Sequence, residues 1–185
     1  RPTSHGFLGY ALLTCDTFRD AIRLGVRYSR LRVDAARIKF FVEGDTAVIE
    51  LEETVPLGPL REFALEGITA AIVRIGETML GSFPEGSEIW VDYREPEHYA
   101  SFRERLPPVR FEQPANQLRF PAAELDRPLA LADPGASKLA IAHLERELAL
   151  LGADDDTAAR VEAILRDPTN GFPSLEAVAD KLFIS

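Results

Sequence analysis

Ile38-Lys39-Phe40-Phe41-Val42, then Glu43-Gly44-Asp45-Thr46, then Ala47-Val48-Ile49-Glu50-Leu51: this stretch decides the reading of the fold. Two β-rich runs flank four residues of turn chemistry, the pattern of a β-hairpin. Upstream, Asp16-Thr17 opens a helical pattern that runs to about Leu31. Phe18, Ile22 and Val26, and less regularly Ala21, Leu24 and Tyr28, form its apolar side. Arg19, Asp20, Arg23, Arg27 and Arg30 occupy the remainder, so this helix should lie on a core with a solvated outer face. Downstream, Pro59 begins a second helix. Phe63, Leu65, Ile68, Ala71, Ile72, Ile75, Met79 and Leu80 keep helical spacing until Gly81 and Pro84 end it. Being apolar around much of its circumference, it is expected to be the central buried helix.

Glu88 to Tyr93 reads as a strand and Pro96 to Leu106 as a short helix or turn. Val109–Glu112 and Gln117–Phe120 alternate apolar and polar residues as half-buried strands do. Helices interspersed with a hairpin and single strands predict an α+β fold, a mainly antiparallel sheet packed with helices and followed by a helical C-terminal extension.

The chain is expected to divide at 1–134, 135–152 and 153–185. Leu125 to Pro134 reads as linker. Ala136 to Leu151 has strong helix propensity, and Ile141, Leu144, Leu148 and Leu151 are spaced three, four, three, as in a helix-pairing seam. They are the expected dimerisation residues, although two heptads fit packing on the chain's own core equally well. Gly152-Ala153-Asp154-Asp155-Asp156 reads as an acidic linker, and Thr157 as the start of another helix.

Composition sets the outer limits. With 46% hydrophobic and 28% charged residues, the chain has the balance of a water-soluble globular protein. No apolar run approaches the roughly 18 residues that span a membrane. The single cysteine, Cys15, excludes an internal disulfide framework and fits a cytoplasmic location. Net charge is −9. Residues 1–135 carry 16 basic and 21 acidic side chains, and residues 136–185 carry 5 and 9. Neither part offers the basic face that holds nucleic acid, so this fragment is not expected to bind DNA by itself.

The last stretch, from Asn170 to Ser185, reads as the first half of a helix-turn-helix. Ser174 can cap the helix that follows Pro173. Leu175, Val178, Ala179 and Leu182 form its apolar face, and Ser185 is placed to cap a second helix. Gly171 to Ala179 with Leu182 to Ser185 resembles the start of the DNA-binding domain of AraC/XylS-type transcription regulators. Gly6–Leu13, Phe18–Arg23, Asn116–Pro121 and Leu125–Leu129 resemble the branch with an arabinose-binding-like sensor domain. The resemblance implies a sensing and dimerisation portion followed by an incomplete DNA reader, with DNA bound only by a longer protein. It also implies pairing of two copies through the helix at 136–151. The family often has a His near the strand at residue 93, where this chain has Tyr93.

Catalytic signatures are scarce. His5, His98 and His143 lie in different elements without metal-type spacing, and no phosphate loop or nucleophile elbow is present. Cys15 precedes a helix start, yet a buried structural thiol is the expected state. Paired carboxylates at Glu50, Glu52, Glu53, Glu95 and Glu97 need burial before they could act as acid and base. No enzymatic activity, metal or cofactor is expected. A pocket is: Phe41, Arg61, Trp90 and Tyr93 combine aromatic surface with hydrogen-bonding or charged tips and are the candidate ligand contacts. The expected function is effector sensing and dimerisation in a transcription regulator, with a small-molecule effector of unnamed class. The alternative is a protein-interaction module without such a ligand.

Overall fold

Glu43 and Thr46 face each other across Gly44-Asp45, and Gly44 takes the left-handed conformation (φ 57°) that closes so tight a turn. Around this hairpin, the computed structural model describes residues 6–165 together with Pro173, Ser174 and Val178. The chain divides into two compact units, Arg1–Leu144 and Glu145–Ser185.

The first unit begins with α1 (Gly6–Leu13) and α2 (Phe18–Tyr28). Thr17 caps α2, its hydroxyl accepting from the Asp20 amide at 3.2 Å, and Phe18, Ala21, Ile22 and Leu24 are buried. The hairpin is β1 (Ala36–Glu43) and β2 (Thr46–Glu53), followed by α3 (Arg61–Leu80). Gly81 ends α3 with φ 85°, its amide returning to the Glu77 carbonyl. The remaining strands are β3 (Glu88–Trp90), β4 (Val109–Arg110) and β5 (Asn116–Pro121). The sheet order is β1-β2-β5-β3-β4, antiparallel except for β3 with β4. The expected α+β architecture is the one observed.

Two expectations about packing are corrected within this unit. Only Leu65, Val73, Gly76 and Leu80 of α3 are buried, so it is no central buried helix. Its apolar circumference is divided between two cavities instead. The expected linker at Leu125–Pro134 is docked: Phe18 donates to the Arg127 carbonyl, Leu129 to Asp16 and Asp133 to Thr14, each at about 3 Å. Leu125 and Leu129 are buried under this strap.

The strap leads into α4 (Pro134–Leu165). Asp133 caps it by accepting from the Ala136 amide at 3.0 Å, and Pro134 occupies the first turn, where a missing N–H costs nothing. Ala140 and Leu144 are buried. The linker expected at Gly152–Asp156 is helical, because one glycine costs only about 1 kcal/mol of helix and no proline interrupts the run. Of the terminal motif, Ser174 accepts a helical hydrogen bond from the Val178 amide at 3.0 Å, and Val178 is buried. Leu175, Ala179, Leu182 and Ser185 lie outside the described residues.

Candidate ligand-binding site

Side chains alternate across a pleated sheet, so β1, β2 and β5 turn Ile38, Ile49, Leu118 and Phe120 toward α2 and α3. These four do not reach α3 closely enough to fill the space beneath it. A cavity of about 410 Å³ lies there, and α1 adds Leu8 and Leu12 to its walls. From α2 come Phe18, Ala21, Ile22, Gly25 and Val26, and from α3 Ala64, Gly67, Ile68, Ala71, Ile72, Ile75 and Met79. Phe83 lies beyond α3, against Gly76: a Cβ on that glycine would stand 2.8 Å from the ring.

The cavity is long. Phe18 and Ser29 both line it, and eleven residues of helix separate them by about 16 Å. Gly76 of α3 approaches Phe18 at one end, while Ser29, Arg32 and Val33 stand at the other. Polar groups are few. The Ser29 hydroxyl donates to the Val26 carbonyl at 2.9 Å. Arg32, exposed and donating to the Leu31 carbonyl at 2.8 Å, is the charged side chain in the lining among the described residues.

A broader cleft of about 770 Å³ lies on the other side of α3. Tyr93, Tyr99, Phe102 and Phe111 supply its apolar walls, and Glu66, Arg74, Glu77, Glu104 and Arg105 its charges, with the imidazole of His98 among them. Several of these polar groups pair among themselves. His98 stands 3.0 Å from Glu66, and Arg74 reaches Glu77 at 2.7 Å. Phe63 belongs to both linings and is 77% exposed, standing as a lip at the first turn of α3.

The structure scatters the four candidate contacts. Phe41 and Trp90 lie on the outer sheet face, away from the cavity. There the Arg119 guanidinium covers the Trp90 ring at 4.3 Å, and the indole N–H donates to Glu88 at 2.7 Å. Burial pushes the Glu88 carboxyl up, but hydrogen bonds from Arg110 and Trp90 outweigh it and hold the group below its usual range. Arg61 grips Asp92 with two hydrogen bonds of 2.7 and 2.8 Å and Glu53 with a third contact of 2.8 Å. It fastens the start of α3 to the sheet, and its hydrogen bonds keep the Asp92 carboxyl below its ordinary range. Tyr93 lines the second cleft, its hydroxyl 3.5 Å from Glu66; burial, then the nearby carboxylates, push its ionisation upward. None of the four lines the apolar cavity.

The residues that do line it were missed, although α3 carries a signal. Ala64, Gly67 and Ala71 repeat at three and four residues on one face, where a tightly packed helix would bear large side chains. Cys15 is buried, and burial followed by Asp20 and Asp16 pushes its thiol up to about 11, which makes it inert at neutral pH. The His143 ring packs against Phe7, with ring centroids 3.8 Å apart. Of the expected seam, Leu144 is fully buried, Ile141 and Leu148 are half-buried and Leu151 is 37% exposed. Among the described residues no group of three or more metal-ligating side chains occurs, and no helix is long and apolar enough to cross a membrane.

Comparison with known proteins gives one consistent result. Residues 1–129 match the N-terminal arabinose-binding domain of AraC transcription regulators. The ornithine utilization regulator of Pseudomonas aeruginosa is 30% identical over 184 residues, which cover 99% of this chain and 54% of that protein. An uncharacterized HTH-type transcriptional regulator of Mycobacterium tuberculosis is 26% identical, over 97% of this chain and 54% of its own length. This chain thus spans about half the length of the curated relatives it matches. Among solved structures, the transcriptional regulator CdpR from Pseudomonas aeruginosa superposes with a TM-score of 0.66 at 17% identity. That match covers 100% of this chain and 61% of the other and shows the shared fold.

Proposed function

The chain belongs to the AraC transcription regulators with an arabinose-binding-type N-terminal domain, and from that premise we propose that it is an effector-sensing portion whose ligand occupies the cavity between α2, the sheet and α3. The observation that carries the reading is the cavity itself. Interiors are close-packed, whereas here about 410 Å³ is left between walls that are almost wholly apolar, a concave space of the size and lining that takes a small apolar molecule. In this reading the chain is a regulator and not an enzyme, acts in the cytoplasm and uses no metal or cofactor.

The strap supplies a route out of the cavity. Leu12 and Phe18 line the cavity and flank the turn at Thr14–Thr17; the Phe18 amide donates to the Arg127 carbonyl, and the Asp16 and Thr14 carbonyls of the turn accept from the Leu129 and Asp133 amides. Asp133 caps α4. A ligand that favours one packing of α1 and α2 therefore biases how α4 begins, by as much as its affinities for the two packings differ. Two copies pair through α4 in this reading. Exposed Leu139, Leu150 and Leu151 support that pairing, whereas Leu144 is spent on its own chain. DNA is bound by a longer protein that includes the complete reader.

Thermal unfolding against apolar acids, aromatic acids, amino acids and sugars tests the sensing role. A ligand at 100 times its dissociation constant adds about 2.7 kcal/mol, a shift of roughly 5–10 °C for a chain of this size. No shift with any class would transfer the cavity to the interaction-module reading, in which a protein partner covers it.

A further inference from the structure

We propose that the effector is a single-chain amphiphile recognised by its tail: the hydrocarbon chain enters the cavity past Phe63 and runs toward Phe83, while a small head group of any charge stays at the mouth in water. This rests on the sensing role proposed above and adds which part of the ligand is read.

The two ends of the cavity differ. At one, the rings of Phe18 and Phe83 pack on Phe120 with centroids 5.7 and 6.2 Å away, and Phe18 and Phe120 are buried. Gly76 brings α3 onto this cluster, its Cβ position 2.8 Å from the Phe83 ring and 3.9 Å from that of Phe18. The helical rise puts Phe63 about 20 Å from Gly76, at the end where Ser29 and Val33 line the cavity. There Phe63 is 77% exposed, and Leu60, three residues earlier and on the same side of the helix, is 66% exposed. The cavity is thus a slot closed by aromatic rings at one end and rimmed by exposed apolar side chains at the other.

Its walls decide what can enter. A sugar would bury several hydroxyls against Ile, Leu, Ala and Phe side chains, where each is penalised for want of a partner. Hydrocarbon gains from the same walls. About 410 Å³ holds on the order of 14 water-sized groups at roughly 30 Å³ each. Along the roughly 16 Å between Phe18 and Ser29, that is room for one extended chain. A compact ring system of equal volume would leave part of the slot empty. The head group needs no side chain of the lining. Ser29 donates to Val26, and Arg32, exposed at the rim, donates to Leu31 and has a further partner. A head left at the rim keeps its water, which removes the penalty of burying it.

Titration calorimetry and thermal shift on the full chain test this with the alkanoates from hexanoate to hexadecanoate, each below its micelle concentration. Decanol and decyltrimethylammonium serve as neutral and cationic counterparts of decanoate. Affinity should rise about fourfold per added methylene, which is ~0.8 kcal/mol of burial, and level off near tetradecanoate. The three decyl compounds should bind within about fivefold of one another, the range that exposed charges at a rim span. Decanoate should lose at least about tenfold on Ala71→Leu, which narrows the slot from α3, and nothing on Ala70→Leu, which faces the other cleft. A larger head-group preference would overturn recognition by the tail alone. A flat series, or one still rising through hexadecanoate, would overturn the closed slot. Equal binding to a folded Ala71→Leu, judged by circular dichroism, would mark the interaction as detergent-like and overturn the site. The series on the unaltered chain decides the question even where the variant fails to fold. Binding of a sugar or amino acid from the wider panel, with no alkyl compound bound, would overturn the ligand class and leave the sensing role standing. Silence from every compound would remove both.

Discussion

Replacing Ala71 by Leu sets two readings of α3 against each other, because they predict opposite signs. Ala71 lines the apolar cavity and takes no part in the second cleft. With open space beneath it, three added carbons enter the cavity. At ~0.8 kcal/mol per buried methylene they contribute about 2.4 kcal/mol. Ordering a leucine side chain costs ~0.5–1 kcal/mol, and its helix propensity is a few tenths poorer than that of alanine. The net gain is about 1–1.5 kcal/mol, which raises Tm by roughly 2–6 °C for a chain of this length. If α3 instead packed tightly on the sheet, the same leucine would overfill a core and cost ~1–3 kcal/mol. Differential scanning calorimetry separates a rise from a fall directly. Ala70→Leu is the matched control, one residue along the same helix but facing the second, wetter cleft. It should gain less and leave binding to the apolar cavity intact. A fall in Tm for Ala71→Leu, with Ala70→Leu unchanged, would refute the cavity and the sensing argument built on it.

Three further outcomes follow from the geometry. Gly76→Ala places a Cβ 2.8 Å from the Phe83 ring and should lower stability by ~1–3 kcal/mol, read from urea denaturation with an unchanged m value. Asp92 is held below its ordinary pKa by Arg61, so its contribution is complete above about pH 4 and is lost as pH falls through its folded value. At about one-third exposure the pair is worth under ~1 kcal/mol; Arg61→Gln should therefore lower Tm slightly at pH 6, and the difference should shrink toward pH 3 in a melting series. Cys15, with its thiol pushed up to about 11, presents about one thiolate in a thousand at pH 8, so labelling of the native chain should wait on unfolding; rapid native labelling would contradict the burial.

Local pattern made much of the fold legible. The Gly44-Asp45 turn, the Thr17 cap and the alternation through Gln117–Phe120 are short-range signals, and each element formed where they place it. What was not legible is non-local. β3 pairs in parallel with β4, some twenty residues away, and no turn chemistry announces that pairing. The strap at Arg127–Asp133 has the proline and small residues of a linker, and only its hydrogen bonds to Thr14, Asp16 and Phe18 show that it is docked. The apolar circumference of α3 was visible, but hydrophobicity does not distinguish a helix buried on two sides from one that lies between two cavities. α1, with apolar residues on every side, has no period to read.

The site was harder to read than the fold for a physical reason. Phe41, Arg61, Trp90 and Tyr93 were selected largely for apolar bodies with polar or charged tips, on the argument that a ligand site needs both. A folded chain must satisfy such tips itself when it places them in or near its core. The Trp90 indole is spent on Glu88, the Arg61 guanidinium on Asp92 and Glu53, and the Tyr93 hydroxyl faces Glu66. Their polarity marks internal bonding. The side chains that surround the cavity lack tips, and so the space they leave depends on their sizes in three dimensions. Phe41 is the instructive exception: it has no polar tip, yet the pleat that turns Phe40 inward turns Phe41 to the outer sheet face. A shift of one residue in the sequence choice would have crossed the sheet, so register, rather than residue type, decides which aromatic can meet a ligand.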